Sequence, residues 1–268
     1  MPATVRPLRR ATLTAALCAA VALGATACGP FSGSSGGTKD GADSAKSTAP
    51  AKPAGPFEGL SGPQIVDKAI GATKTADSLT LDVALKTTDG PIKAKLATDV
   101  RGHCAGTMAL GATGTAELIK PDATSVYMRF DEAFLKEQAK GESAAVQAEV
   151  MKQLKGRWMK SDAKDPDAKD SLALCDLKSL LSDFEQGANT AVKGKETTVD
   201  GEKALMLTQA SASERTTVYV ATEGKPYLLK IVSAGGKEPG TISFRDYDKP
   251  VEAKAPPKKD VVDEKQFG

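Results

Sequence analysis

The chain has 268 residues, with 36 Lys and Arg against 34 Asp and Glu, one histidine and four cysteines. Arg6, Arg9 and Arg10 account for the small positive balance; without them 33 basic side chains face 34 acidic ones. No basic run is interleaved with aromatics, so nucleic-acid binding has no footprint. A lone histidine without clustered ligands gives no metal-site spacing, and the sequence implies no cofactor.

The first element follows those arginines. Ala11 to Gly24 is uncharged and mostly apolar, and a basic head before a short apolar run reads as a secretory signal, residues 1–27. The run is too short for a membrane span. Ala25-Thr26-Ala27-Cys28 resembles a bacterial lipobox, which implies cleavage before Cys28 and acylation of its sulfur. Each buried methylene contributes about 0.8 kcal/mol, and two chains hold a protein stably on a membrane. The resemblance therefore implies a lipid anchor on the outer, extracytoplasmic face of the cell membrane. An ordinary signal with a chance cysteine is the alternative. Cys18 would leave with the signal, and Arg9-Arg10 leaves the general and twin-arginine export routes both open.

From Gly29 to about Pro56 the chain is rich in Gly, Ser, Ala, Lys, Thr and Pro. Such a segment cannot offset its ordering entropy. Residues 28–57 thus read as the lipidated cysteine and a disordered tether, with a reach of about 30 Å. The remaining ~200 residues suit one domain, placed at 58–257, with 258–268 as a flexible, solvated tail.

Ser61, with Pro63 in the first turn and Gln64 at the third helical position, predicts a helix start. Ile65, Val66, Ala69 and Ile70 continue it to near Ala76. Leu79, Leu81, Val83 and Leu85 then alternate with polar residues, as strands do. Asp89-Gly90 marks a hairpin. Ile92 to Val100, a segment carrying Cys104, Met108 and Leu110, Thr115 to Lys120 and Thr124 to Phe130 extend the meander. Asp131 to Leu154 changes to helical period, broken near Gly141. Gly156 to Lys160, "GRWMK", is a short strand, and Asp170 to Phe184 a further helix holding Cys175. Five strand-like stretches close the chain: Thr197–Asp200, Lys203–Thr208, Thr216–Ala221, Tyr227–Val232 and Thr241–Tyr247.

With Cys28 lipidated, Cys104 and Cys175 remain in an exported chain, and a disulfide between them is the natural inference; two free buried thiols are the competing one. About ten alternating strands give a sheet with one apolar face, which must curl or be covered. The expected class is α+β: a strongly curved antiparallel sheet, a half-barrel, with helices across its concave face.

The lipobox, the Ser/Thr-rich tether, the leading helix, the meander, the insert ending in "GRWMK" and the closing "GTISFRDYDKPVEAKAP" resemble the actinobacterial LppX/LprG-type lipoproteins. These belong with the LolA/LolB-like carriers. The resemblance covers about residues 58–257 and rests on element order and diffuse patterns such as "VYVATEGKPYLLKI". It implies a LolA-like sheet wrapped on a helical cap around a hydrophobic cavity, and a lipid, glycolipid or acylated protein as ligand. It carries over no ligand-contact residue.

The apolar parity of the strands offers Leu79, Leu81, Val83, Leu85, Leu96, Met108 and Leu110 as cavity lining; the alternative is that they form a closed core. "GHCAG", Gly102 to Gly106, has nucleophile-elbow spacing. His103 is its direct neighbour and would point to the other strand face, so Cys104 lacks a base. His103 is expected to be an ordinary surface side chain, and no catalytic residue is assigned. The acidic runs lack a calcium loop, and Gly111 to Gly114 has no phosphate-loop pattern. Two readings of function follow. One is a membrane-anchored lipoprotein, not an enzyme, that binds lipid and could transport it, with Gly141 and Gly187-Ala188 as candidate hinges. The other is an anchored module that binds an envelope protein or sensor partner through a closed core without ligand.

Overall fold

A computed structural model describes residues 55–88, 90–110, 113–185 and 190–266. The signal, Cys18, Cys28, most of the tether, Asp89, Gly111 and Gly187-Ala188 lie outside the described residues. Residues Ala51–Gly268 form one compact unit with its own core.

The chain opens with helix α1 (Gly62–Lys74). Its start is a capping box: the Gln64 backbone N–H donates to Ser61 Oγ, and the Ser61 N–H donates to Gln64 Oε1 at 2.8 Å. Ile65, Val66, Ala69 and Ile70 form its buried face, as their spacing requires. Five antiparallel strands follow: β1 (Ser78–Thr87), β2 (Gly90–Asp99), β3 (Cys104–Leu110), β4 (Ala116–Lys120) and β5 (Ser125–Phe130). Two short helices, α2 (Glu132–Gln138) and α3 (Ala144–Leu154), join β5 to β6 (Trp158–Asp162). Next come α4 (Pro166–Leu172), a 3-10 turn at Ala173–Cys175 and α5 (Leu177–Glu185). A second meander, β7 (Val192–Val199), β8 (Glu202–Ala210), β9 (Glu214–Ala221), β10 (Leu228–Gly235) and β11 (Gly240–Arg245), precedes the short β12 (Val261–Asp263).

All the strands join one curved, unclosed 12-stranded sheet in the order β12-β6-β5-β4-β3-β2-β1-β11-β10-β9-β8-β7. Every pairing is antiparallel except β12 with β6. The registers explain the single apolar face. Leu207, Val218, Ile231, Ile242, Val83, Ala94, Met108, Ala116 and Phe130 stand opposite one another from strand to strand, forming one continuous row. A neighbouring row runs Phe244, Leu81, Leu96, Gly106, Leu118, Met128 and Met159. A one-residue slip in any strand would turn its share of these rows to water. The helices bury this face: the same core cluster holds Ile65 and Ile70 of α1 and Leu177 and Leu181 of α5. At Gly106 the β2 backbone leaves no room for a side chain on β3. A Cβ there would sit 2.0 Å from the Lys95 carbonyl oxygen, so only glycine fits.

Several boundaries differ from expectation; β7, for one, begins at Val192 rather than Thr197. The domain begins earlier than residue 58, because Phe57 is buried in the core and its carbonyl accepts from Lys193 Nζ at 2.9 Å. The helix expected over 170–184 is two helices with a 3-10 turn at Cys175 between them. Asp176 restarts the chain as α5 by accepting from the Ser179 N–H at 3.1 Å. Most plainly, residues 258–266 are not a flexible tail. They run as a 3-10 turn, β12 and a second 3-10 turn, with Val262 buried and Val261 paired to Trp158. Arg157 Nη2 donates to the Val261 carbonyl at 3.2 Å.

Candidate functional site

Two cavities open on the helix-covered side of the sheet, separated by α4. Pro166 and Ala168 face the smaller; Lys169 and Leu172 face the larger. The larger cavity, about 660 Å³, has apolar walls from Ala163, Leu172, Cys175, Leu177 and Leu181. Its rim is charged, with Lys74 from the end of α1, Lys120 from the end of β4, Lys169 from α4 and Lys178 from α5, beside Asp99 and Asp176. Lys120 lies opposite Cys104 in the sheet register, so strand alternation turns it toward the helices.

The smaller cavity, about 370 Å³, is lined by Met108, Met128, Met159, Val126, Phe130 and Phe134, with Ser161, Asp165 and Glu264 on its polar side. Phe130 and Phe134 stack with ring centroids 4.8 Å apart, fixing α2 against β5. Unbranched methionines fit irregular apolar guests because three rotatable bonds let each reshape the wall.

Cys104 and Cys175 form a disulfide across 71 residues of sequence. A second tie lies beside it: Thr98 Oγ1 donates to the Cys175 carbonyl at 2.8 Å in a fully buried position. The turn between α4 and α5, which forms part of the larger cavity's wall, is thus held to β2 and β3 by one covalent bond and one hydrogen bond.

At the mouth, the Asp99 carboxylate is almost wholly buried and organises the β2–β3 turn. It accepts from the Arg101 N–H at 3.0 Å and Nη2 at 2.9 Å, and from the His103 N–H at 2.9 Å. His103 Nδ1 stands 2.9 Å from Oδ2, the oxygen that also accepts from Arg101 Nη2. Burial pushes this carboxyl up, but the His103 N–H, the Arg101 side chain and the His103 charge together outweigh it and hold the group below its ordinary range. His103 is therefore a fixed partner of Asp99 rather than an ordinary surface side chain. The "GHCAG" thiol is consumed in the disulfide.

The residues offered from strand parity fall in several places. Leu79, Leu81, Val83 and Leu96 are fully buried in the main core, and Leu85 packs half-buried against it. Met108 belongs to both the core and the smaller cavity. The side chain of Leu110 lies outside the described residues, though its backbone pairs with Ile92. The cavity walls add Met128, Phe130, Phe134, Met159 and the α4–α5 segment, which the sequence reading did not single out. The alternation Val126, Met128, Phe130 carried that signal. Among the described residues, no three or more His, Cys, Asp or Glu side chains are placed to hold a metal, and no helix is long and apolar enough to cross a membrane.

No family model and no curated protein matches the sequence. Among solved structures, the chain is similar to the crystal structure of the lipoprotein LppX from Mycobacterium tuberculosis, at 13% identity and a TM-score of 0.44, covering 72% of this chain and 97% of that one. It is also similar to LprF from Mycobacterium bovis, at 13% identity and a TM-score of 0.49, covering 73% and 96%. These names agree with the LppX/LprG-type group that the residue pattern resembles.

Proposed function

We propose that this protein is a lipid-binding lipoprotein, held on the extracytoplasmic face of a membrane through acylated Cys28 and a tether of about 30 Å. Its cavities would take the acyl chains of a lipid, glycolipid or acylated ligand without chemistry on them. One observation carries the reading: two apolar-walled spaces of about 660 and 370 Å³ lie between the sheet and its helices, within the size range of small-molecule sites. Burying eight methylenes there would contribute about 6 kcal/mol. Passing a ligand on would require the helical cap to shift, and Gly141, at φ +94 between α2 and α3, is a candidate hinge on the part of the cap that the disulfide does not tie down.

Native mass spectrometry on residues 55–268, purified from a lipid-containing host, tests the reading. The expected result is a bound-lipid adduct, identified after extraction and lost when Met128→Trp fills the smaller cavity. A bare protein that also fails to take up a fluorescent fatty acid would overturn it. Specific capture of an envelope protein by that bare form would favour the protein-binding alternative.

A further inference from the structure

The smaller cavity is walled in part by the end of the chain. Glu264 borders it, with Ser161 and Asp165. The same three residues also border a separate polar hollow of about 210 Å³, which Lys160, Asp263 and Lys265 help to line. They form a partition between an apolar space and a polar one.

The parts of that partition are not held alike. Ser161 belongs to β6, which pairs with β5 over four residues. Asp165 follows closely in the chain, where the Ala163 N–H donates to the Thr124 carbonyl at 2.9 Å and the Asp165 N–H to the Asp162 carbonyl at 3.0 Å. Glu264 comes from the C-terminal segment, whose ties are few. β12 lays only Val261 to Asp263 against the edge of β6, and Arg157 Nη2 adds one bond to the Val261 carbonyl. Val262 is the one buried side chain among the described residues from 250 to 266. The register stands it beside Met159, at the end of the apolar row.

Upstream, the Lys249 carbonyl accepts from Ser78 Oγ at the start of β1. Over residues 250–260 the bonds are all local: the Ala253 N–H to the Val251 carbonyl, the Asp260 N–H to the Pro257 carbonyl, and the Lys254–Glu252 ion pair. Pro250, Pro256 and Pro257 have no N–H to give and favour extended backbone. The segment is an arm anchored at Lys249 and latched at Val262.

We infer that this arm is the door of the smaller cavity: residues 258–266 leave the β6 edge as a unit, swinging on 250–257, and open a way in for an acyl chain between Met159 and Glu264. The inference rests on the reading that this cavity binds lipid, and the movement is separate from a shift of the helical cap. Local opening costs only the contacts it breaks, and here those are one short strand and one valine.

Hydrogen exchange on residues 55–268 without ligand tests the movement by itself. Peptides covering 261–264 should exchange about a hundred-fold faster than those of β4 and β5; equal protection would overturn the inference whether or not the cavity takes lipid. Stopped-flow uptake and release of a fluorescent fatty acid tests what the movement does. Val262→Ala, which removes both γ-carbons from the latch, should raise both rates about tenfold and leave the affinity unchanged. Lys160→Cys with Asp263→Cys, bridged by dibromobimane, should slow both rates about tenfold or more against the unbridged pair, again at constant affinity. Binding whose rates ignore the bridge, or an affinity that changes while the rates do not, would overturn the door alone. A fast-exchanging arm on a protein that takes up no fatty acid in any form would overturn the cavity reading instead.

Discussion

Replacing both Cys104 and Cys175 by alanine should cost this domain about 4 kcal/mol. The two residues are 71 apart, and closing a loop of that size in the unfolded chain removes entropy equivalent to about 4 kcal/mol. Both cysteines are buried, so alanine leaves only a small void and no stranded charge. The Thr98–Cys175 hydrogen bond uses a main-chain carbonyl and survives the change. For a domain of this length each kcal/mol moves the melting temperature by about 2–4 °C, so the pair should melt about 8–16 °C lower. Calorimetry of the oxidised wild type, the wild type in a phosphine reductant and the double variant would measure this. The reduced wild type should approach the variant. Because the bridged turn walls the larger cavity, limited proteolysis should cut α4 to α5 sooner in both. A drop below about 2 °C, or cleavage elsewhere first, would refute the reasoning that this bridge holds the cap to the sheet.

Three further outcomes are expected. Gly106→Ala forces a Cβ to 2.0 Å from the Lys95 oxygen; β2 and β3 must part, and the denaturation midpoint should fall by the equivalent of about 3 kcal/mol or more. Leu81→Ala, at zero exposure in the core, should cost about 3–5 kcal/mol, while Met159→Ala, on the wall of an existing cavity, should cost about 2 kcal/mol or less, by urea melts. The Asp99 carboxyl is held below its ordinary value of 3.8, so it stabilises the fold above that pH and its contribution is lost as pH falls through the lower folded value. Asp99→Asn should therefore be less stable than wild type at pH 7, with a flatter decline below about pH 4 when the midpoint is followed from pH 6 to 2.

The strands were legible because period-two alternation is a local pattern, and here the buried face is the same on nearly every strand. Ser61 and Gln64 announced α1 through a short-range bond. What escaped the reading was settled by distant partners. Val262 is buried because Val261 and Asp263 pair with β6, about a hundred positions away; in sequence the stretch follows prolines and lysines and reads as solvated. Phe57 sits among glycines and prolines and is fixed by Lys193. The same logic separates the core from the cavity. Alternation tells which face Leu79, Leu81, Leu96 and Met128 occupy, but not which part of that face a helix covers. The leucines of β1 and β2 fill the core, whereas Met128 and Met159 meet open space beside α4.

The strand order also governs how the chain can fold. Each half of the sheet, β1 to β6 and β7 to β11, is built mainly from neighbours in sequence, and the halves meet only where β1 pairs with β11. That seam joins Leu81 to Phe244 and carries the Asp82–Arg245 ion pair. Closing so long a loop is the slow step in forming such a topology. Until β11 pairs with β1, β1 keeps an open edge and the two meanders are joined by no strand pair. A substitution in the seam should therefore slow folding far more than one at the β7 edge.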